Sequence, residues 1–169
     1  RMSSIKNEII GSWKLLSYIE VPIDGVDSYF PVGKMPKGIL IYNPDGFMSV
    51  QITADDAQHF VSEDRMIASD EELRNRLNTY IAFSGKYAVD NEAACVIYHI
   101  ETSLYPNWMG AKLLRKLDFE GDVLYQKTLE PILSNGELVH AYMTWKRIEK
   151  DSSYEKLRED LQNMLEEKR

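Results

Sequence analysis

Hydrophobic and polar residues alternate with a period of two over most of this chain, switch to a period near four between Thr53 and Phe83, and then resume alternating. The alternating stretches predict strands. From Gly11 to Val21, Trp13, Leu15, Ser17 and Ile19 alternate with Lys14, Leu16, Tyr18 and Glu20; either row is apolar enough to be buried, and we take Trp13 to face inward. A helical turn over Ser4–Ile10 precedes this strand, and Pro22 with Asp24-Gly25 ends it. A weaker strand at Val26–Phe30 leads into Pro31, Gly33 and Pro36, a constrained loop suited to a barrel rim. The clearest local signal is the hairpin Gly38–Asn43 and Phe47–Ile52 around Asn43-Pro44-Asp45-Gly46, where Pro presets one backbone angle and Gly tolerates a positive one.

In the four-periodic region Thr53 is expected to cap a short helix through His59 or Phe60. Ser69-Asp70-Glu71-Glu72 is a capping box opening a second helix. Leu73, Leu77, Tyr80 and Ile81 form its predicted buried stripe, with Arg74, Arg76 and Asn78 outside. Strands then return at Ser84–Val89, turn through Asp90-Asn91-Glu92, and continue from Ala94. On the next two strands Cys95, Ile97, His99, Glu101 and Ser103 share one face, and Leu113, Arg115, Leu117 and Phe119 share another. Between them Tyr105-Pro106-Asn107-Trp108-Met109-Gly110 is too apolar for an ordinary loop and is expected to cover something. Gly121-Asp122 turns the chain into Val123–Leu129. Leu138–Arg147 is the last strand, with Val139, Ala141, Met143 and Trp145 inward and with Pro131 and Asn135-Gly136 ahead of it.

About nine short strands joined by hairpins predict an all-β fold with added helices: an antiparallel barrel of eight to ten strands, a helical insertion, and an extra C-terminal helix. The barrel domain is assigned to residues 1–150 and the helix to 151–169. In that tail Ser152-Ser153-Tyr154-Glu155 forms a capping box, and Tyr154, Leu157, Leu161, Met164 and Leu165 form an apolar stripe. The stripe is too short for a self-sufficient coiled coil, so the helix is expected on the barrel's outside or across one end, and the protein as a monomer or weak homodimer.

Composition narrows the function. A chain of 169 residues with 44% hydrophobic and 28% charged residues can bury a core as one domain. Its net charge of -7 and lack of clustered Lys and Arg argue against nucleic-acid or anionic-membrane partners. No run approaches the ~20 apolar residues of a membrane span. A lone cysteine, Cys95, forms no intrachain disulfide, which suits a reducing cytoplasm. Arg1-Met2 reads as a remnant ahead of the natural start. His59 and His140 lack ligand spacing to any partner, so neither a metal nor another cofactor is expected.

The chemistry-bearing candidates lie on the strands. His99 and Glu101, two apart, would be neighbours able to act as an acid/base pair, or else satisfied polar groups at a rim or on the outside. Arg115 in an apolar row requires an anion, supplied by Glu101 or by a ligand carboxylate or phosphate. Tyr42, Ser49 and Gln51 would bring hydrogen-bonding groups to the interior if they point inward. Trp13, Tyr87, Asn107, Trp108, Phe119 and Trp145 are candidates to line a cavity, or, for the strand aromatics, to fill a core.

The pattern resembles the lipocalin-like domain family of bacterial and fungal proteins. The resemblance rests on Gly11-Ser12-Trp13-Lys14-Leu15, Lys37-Gly38-Ile39-Leu40-Ile41-Tyr42, Asp45-Gly46-Phe47-Met48-Ser49-Val50-Gln51 and Phe83-Ser84-Gly85-Lys86-Tyr87. It continues through His99-Ile100-Glu101, Ser103-Leu104, Pro106-Asn107-Trp108, Gly110, Arg115 and Trp145, and covers roughly Ile9 to Arg147. The resemblance implies a small barrel with a central cavity, in a family whose members include binding proteins and some cyclases or isomerases. Two functions follow: binding of a small, largely apolar or amphipathic molecule with a polar or anionic group, or proton-transfer isomerisation or cyclisation of such a molecule by His99 and Glu101. A third reading is a structural domain with a filled core.

Overall fold

The computed structural model describes residues 4–25, 27–148 and 150–168, with the backbone alone for 150–155. Eight antiparallel strands close on themselves in the order β1 (Gly11–Pro22), β2 (Lys37–Tyr42), β3 (Phe47–Thr53), β4 (Tyr80–Asp90), β5 (Cys95–Ser103), β6 (Lys112–Glu120), β7 (Val123–Thr128) and β9 (Glu137–Arg147). Closure runs from Trp13 opposite Arg147 to Pro22 opposite Val139. A further strand, β8 (Ile132–Ser134), pairs with the first part of β9, where β7 has ended. The expected all-β barrel with added helices is the observed fold.

The two ends of the barrel differ because the connections do. At one end the links are tight turns at 43–46, 91–94 and 121–122. Gly46 has φ 91°, as the Asn43-Pro44-Asp45-Gly46 turn requires, and donates to the Asn43 carbonyl at 3.2 Å. This end is plugged by α1 (Ile5–Ile9): Ile9 and Trp13 are fully buried, and the Trp13 indole donates to the Ile9 carbonyl at 2.9 Å. The Arg147 guanidinium lies 4.2 Å from the Trp13 ring centre and donates to the Ile10 and Glu8 carbonyls. At the other end the links are long, spanning 23–36, 54–79, 104–111 and 129–136. That end is the mouth.

Two bulges set which side chains face inward. Between Leu15 and Ser17 the pairing of β1 with β9 skips a residue, so Leu16 is exposed and the inward row changes from Trp13 and Leu15 to Tyr18 and Glu20. Trp13 does face in, but Ser17 and Ile19 do not continue its row as expected. A second shift separates Ser84 from Gly85 on β4. Gly85 is the residue that allows it, since a Cβ there would sit 2.1 Å from the His99 carbonyl oxygen.

Other expectations are corrected. No helix forms over 53–60, because Thr53 ends β3 and its hydroxyl donates to the Ala54 carbonyl and accepts from Arg76. The Ser69 capping box does form and opens α2 (Asp70–Asn78): Ser69 Oγ accepts from the Glu72 amide at 3.1 Å, and Glu72 accepts from the Ser69 amide at 2.9 Å. Its apolar stripe is not buried; Leu73 and Leu77 are each 53% exposed, because α2 stands beside the mouth and not over a sheet. Arg76, expected outside, packs its guanidinium 4.4 Å from the Tyr80 ring centre. The strand expected from Val26 reduces to one bridge, Tyr29 opposite Glu20, and Val26 lies outside the described residues. Strand β8 was not anticipated, although Asn135 and Gly136, at φ 50° and 83°, make the two-residue hairpin turn their sequence favours.

The tail is helical, α3 (Lys150–Glu167), beginning ahead of the Ser152 cap expected for it. The side chains of that capping box, Tyr154 included, and Arg1-Met2 lie outside the described residues. Leu157, Leu161, Met164 and Leu165 are all exposed, so α3 is not packed on the barrel as expected. Among the described residues no helix is long and apolar enough to cross a membrane.

Two outcomes follow. Deleting residues 151–169 leaves a barrel that unfolds in one cooperative transition at an unchanged midpoint, measured by thermal circular dichroism. Gly85→Ala, by contrast, forces a methyl onto backbone and lowers stability by about 1–3 kcal/mol in denaturant titrations.

Candidate functional site

Aromatic side chains run through the barrel from mouth to plug. Tyr105 and Trp108, on and beside the 3₁₀ turn Pro106–Trp108, meet edge to face at 5.3 Å; Trp108 meets Phe83 at 5.8 Å, and Phe83 meets Tyr98 at 5.6 Å. Tyr98 then stacks on Tyr42 at 6.3 Å. The apolar loop at 105–110 does cover something: Tyr105, Asn107 and Trp108 wall a cavity of about 610 Å³ at the mouth, together with Leu77 of α2, Val32, and Ile132 and Ser134 of β8. A deeper space of about 30 Å³ continues into the barrel and shares Tyr18, Ile81, Trp108 and Ile132 with it. Arg115, Gln126 and Trp145 line this deeper part.

Beneath it lies a closed hydrogen-bond network. Gln126 Nε2 donates to the Tyr42 hydroxyl at 2.9 Å and the Tyr98 hydroxyl at 3.0 Å, while Gln126 Oε1 accepts from the Trp145 indole at 2.9 Å. The two tyrosine hydroxyls also bond to each other. Every polar group in this floor has a partner, which is the condition for burying it. Burial holds both tyrosines above their ordinary ionisation range of 10.0, with the neighbouring Tyr98 adding to the effect at Tyr42.

Arg115 is different. It is 7% exposed, points inward from β6, and lies 5.9 Å from the Tyr98 ring centre. Its Nη1 donates to the Leu114 carbonyl at 3.0 Å, and no carboxylate among the described residues lies within 4.0 Å. No fully buried side-chain nitrogen or oxygen lacks a partner, so its remaining N–H groups open on the cavity. Burial lowers its proton affinity, and the tyrosines Tyr98, Tyr18 and Tyr42 partly offset that.

Glu20, at the mouth, is the other buried charge, 4% exposed. It accepts from the Tyr18 hydroxyl at 2.8 Å and from Ser134 Oγ at 2.6 Å, which ties β8 to β1. Burial first, and then the Glu20 carboxylate, pushes the Tyr18 phenol far above its ordinary range, so it stays a donor.

The predicted site residues divide three ways. Asn107, Trp108, Arg115 and Trp145 line the cavity, and Tyr42 supports its floor. Trp13, Tyr87 and Phe119 lie toward the plugged end, where Tyr87 donates to the Asn43 carbonyl at 2.6 Å and Phe119 packs 6.2 Å from Trp13. Ser49, Gln51, His99 and Glu101 are on the outer face: Met48, Val50 and Ile52 take the inward positions of β3, and Val96, Tyr98 and Ile100 those of β5. Ser49 bonds Ser84 at 2.7 Å and Gln51 accepts from Tyr80, both outside the barrel. Glu101 is therefore not the partner of Arg115, because alternation turns the two side chains to opposite faces. Tyr18, Glu20, Tyr98 and Gln126 were missed. The signal for Tyr98 was available, since Val96, Tyr98 and Ile100 form the more apolar row of their strand.

These placements separate in stability measurements. Gln126→Leu strips partners from the Trp145 indole and both tyrosines and costs about 2–3 kcal/mol in denaturant titration. Glu101→Gln changes stability by less than about 0.5 kcal/mol. The pH dependence has a definite sign: Tyr18, Tyr42 and Tyr98 hold their protons in the folded chain above 10.0, where the unfolded chain releases them. The folded state then binds more protons, so stability is retained below pH ~10 and falls above it. Ultraviolet titration of phenolate should show these three ionising only as the protein unfolds.

Comparison with known proteins agrees with this geometry. Residues 10–148 match the lipocalin-like domain family. A curated relative, the 4'-hydroxy-3'-methoxypropiophenone carrier protein ppsC of Aspergillus oryzae, is 29% identical over 107 residues, covering 60% of this chain and 96% of the relative. A barrel of this kind and a carrier relative together support small-molecule binding. As the match spans the whole closed sheet from β1 to β9, this chain belongs to the lipocalin-like domain family.

Proposed function

We propose that this protein is a carrier that holds a small, largely apolar molecule at the mouth of its barrel, with the molecule's polar end directed at Arg115. The observation that carries this reading is a buried guanidinium that lines the small space next to a cavity of about 610 Å³, a volume in the range of small-molecule sites. The walls are aromatic and aliphatic, which suits a flat apolar body. The molecule for which the relative is named as a carrier, an aryl ketone with a phenol, has that character. The catalytic alternative rested on His99 and Glu101, and both lie on the barrel's exterior. That arrangement favours carrying over catalysis by this pair.

The test is direct. Titrating 4'-hydroxy-3'-methoxypropiophenone should quench tryptophan emission saturably, and most of the quenching should disappear in Trp108→Phe while calorimetry still records binding. Arg115→Met should weaken binding about tenfold or more. The same variant should melt at the wild-type temperature or above, because it removes a buried charge that no carboxylate in the barrel neutralises. A variant that loses stability and keeps affinity would make Arg115 a structural group and refute the reading.

A further inference from the structure

On the reading that this cavity is the ligand site, the charges it already contains restrict what it takes. Among the described residues two side chains of opposite formal charge line it and the space next to it, Glu20 at the mouth and Arg115 deeper in. They are not an ion pair, since no contact within 4.0 Å joins them. Each still has unused capacity. An ionised carboxylate accepts about four hydrogen bonds, and Glu20 receives two; a guanidinium donates five, and Arg115 makes one. Tyr18 borders both the outer cavity and the deeper space, so the two charges line adjoining spaces.

We propose that the ligand is a neutral, elongated molecule that offers a hydrogen-bond acceptor, such as a carbonyl, to Arg115 and a hydroxyl or N–H donor to Glu20, and that organic anions are discriminated against. The formal charges of the lining sum to zero. An anion drawn to Arg115 is repelled by the Glu20 carboxylate of the adjoining space, and a cation drawn to Glu20 is repelled by Arg115. A neutral molecule with both ends polar satisfies each charge without adding a third.

The experiment is calorimetry on the full chain with four probes of one skeleton: 4-hydroxypropiophenone, its 4-methoxy ether, 4-propylphenol, and 3-(4-hydroxyphenyl)propanoate. The hydroxyketone should bind most tightly, and loss of the donor, loss of the acceptor, or replacement of the ketone by carboxylate should each weaken binding about tenfold or more. In Arg115→Met the hydroxyketone and the propylphenol should become equivalent. In Glu20→Gln the propanoate should gain at least about tenfold relative to the hydroxyketone. If Glu20→Gln does not fold, the wild-type ranking decides alone. A propanoate that binds wild type as tightly as the hydroxyketone, or an ether that matches the phenol, overturns the neutral-ligand inference while leaving the carrier reading intact. No heat with any probe, together with no quenching by the methoxyketone, overturns both.

Discussion

A guanidinium inside a barrel has to be answered by something, and the interior of this protein is arranged around how little of that answer comes from the chain itself. Taking a cation out of water costs several kcal/mol unless hydrogen bonds or a counterion repay it. Arg115 receives one backbone carbonyl and the face of Tyr98. Just below it, Gln126, Tyr42, Tyr98 and Trp145 hydrogen-bond one another. The same core thus holds one polar cluster closed on itself and one polar group left open, and the open one borders the cavity.

That contrast depends on the asymmetry of the connections. Tight turns at one end leave the closed sheet to be sealed by α1, Trp13 and Arg147, a plug with its own hydrogen bonds and no room for a guest. Long links at the other end put backbone irregularity around the cavity: Leu77 of α2, the aromatic turn at 105–108 and β8 all border the mouth. Glu20 connects β8 to the barrel, because its two hydrogen bonds join a strand residue, Tyr18, to a rim residue, Ser134. The exposure of Leu73 and Leu77 has the same origin, since a helix beside an opening has no sheet to cover its apolar side.

How far the sequence could be read follows from parity. Where one row of a strand was clearly more apolar, as in Val139, Ala141, Met143 and Trp145, the inner face was legible, and so were the hairpin at Asn43–Gly46 and the capping box at Ser69. Parity failed in two ways. On β5 the row chosen was the one bearing His99 and Glu101, on the strength of their chemistry, although Val96, Tyr98 and Ile100 were the better core. On β1 no choice of row was correct, because the bulge at Leu16 moves the inward face from Trp13 and Leu15 to Tyr18 and Glu20. A bulge changes no composition and leaves the alternation readable on both sides of it. Pairing against β9 creates it, and pairing is a property of the closed sheet.

Arg115 shows what such an error does to a functional argument. Its inward direction was legible from Leu113, Leu117 and Phe119, and its need for an anion followed from elementary electrostatics. The partner was then sought on the neighbouring strand, at Glu101, by proximity in the chain. The buried carboxylate is on β1, at Glu20, three strands from β6 in barrel order and bonded to Tyr18 and Ser134. Had Glu101 been inside, an internal ion pair would have neutralised the base of the cavity and left a core that needed nothing further. With the two charges held apart by Tyr18, the barrel can be compact and well satisfied in its lower half and still present an unmet donor and an unmet acceptor in its upper half.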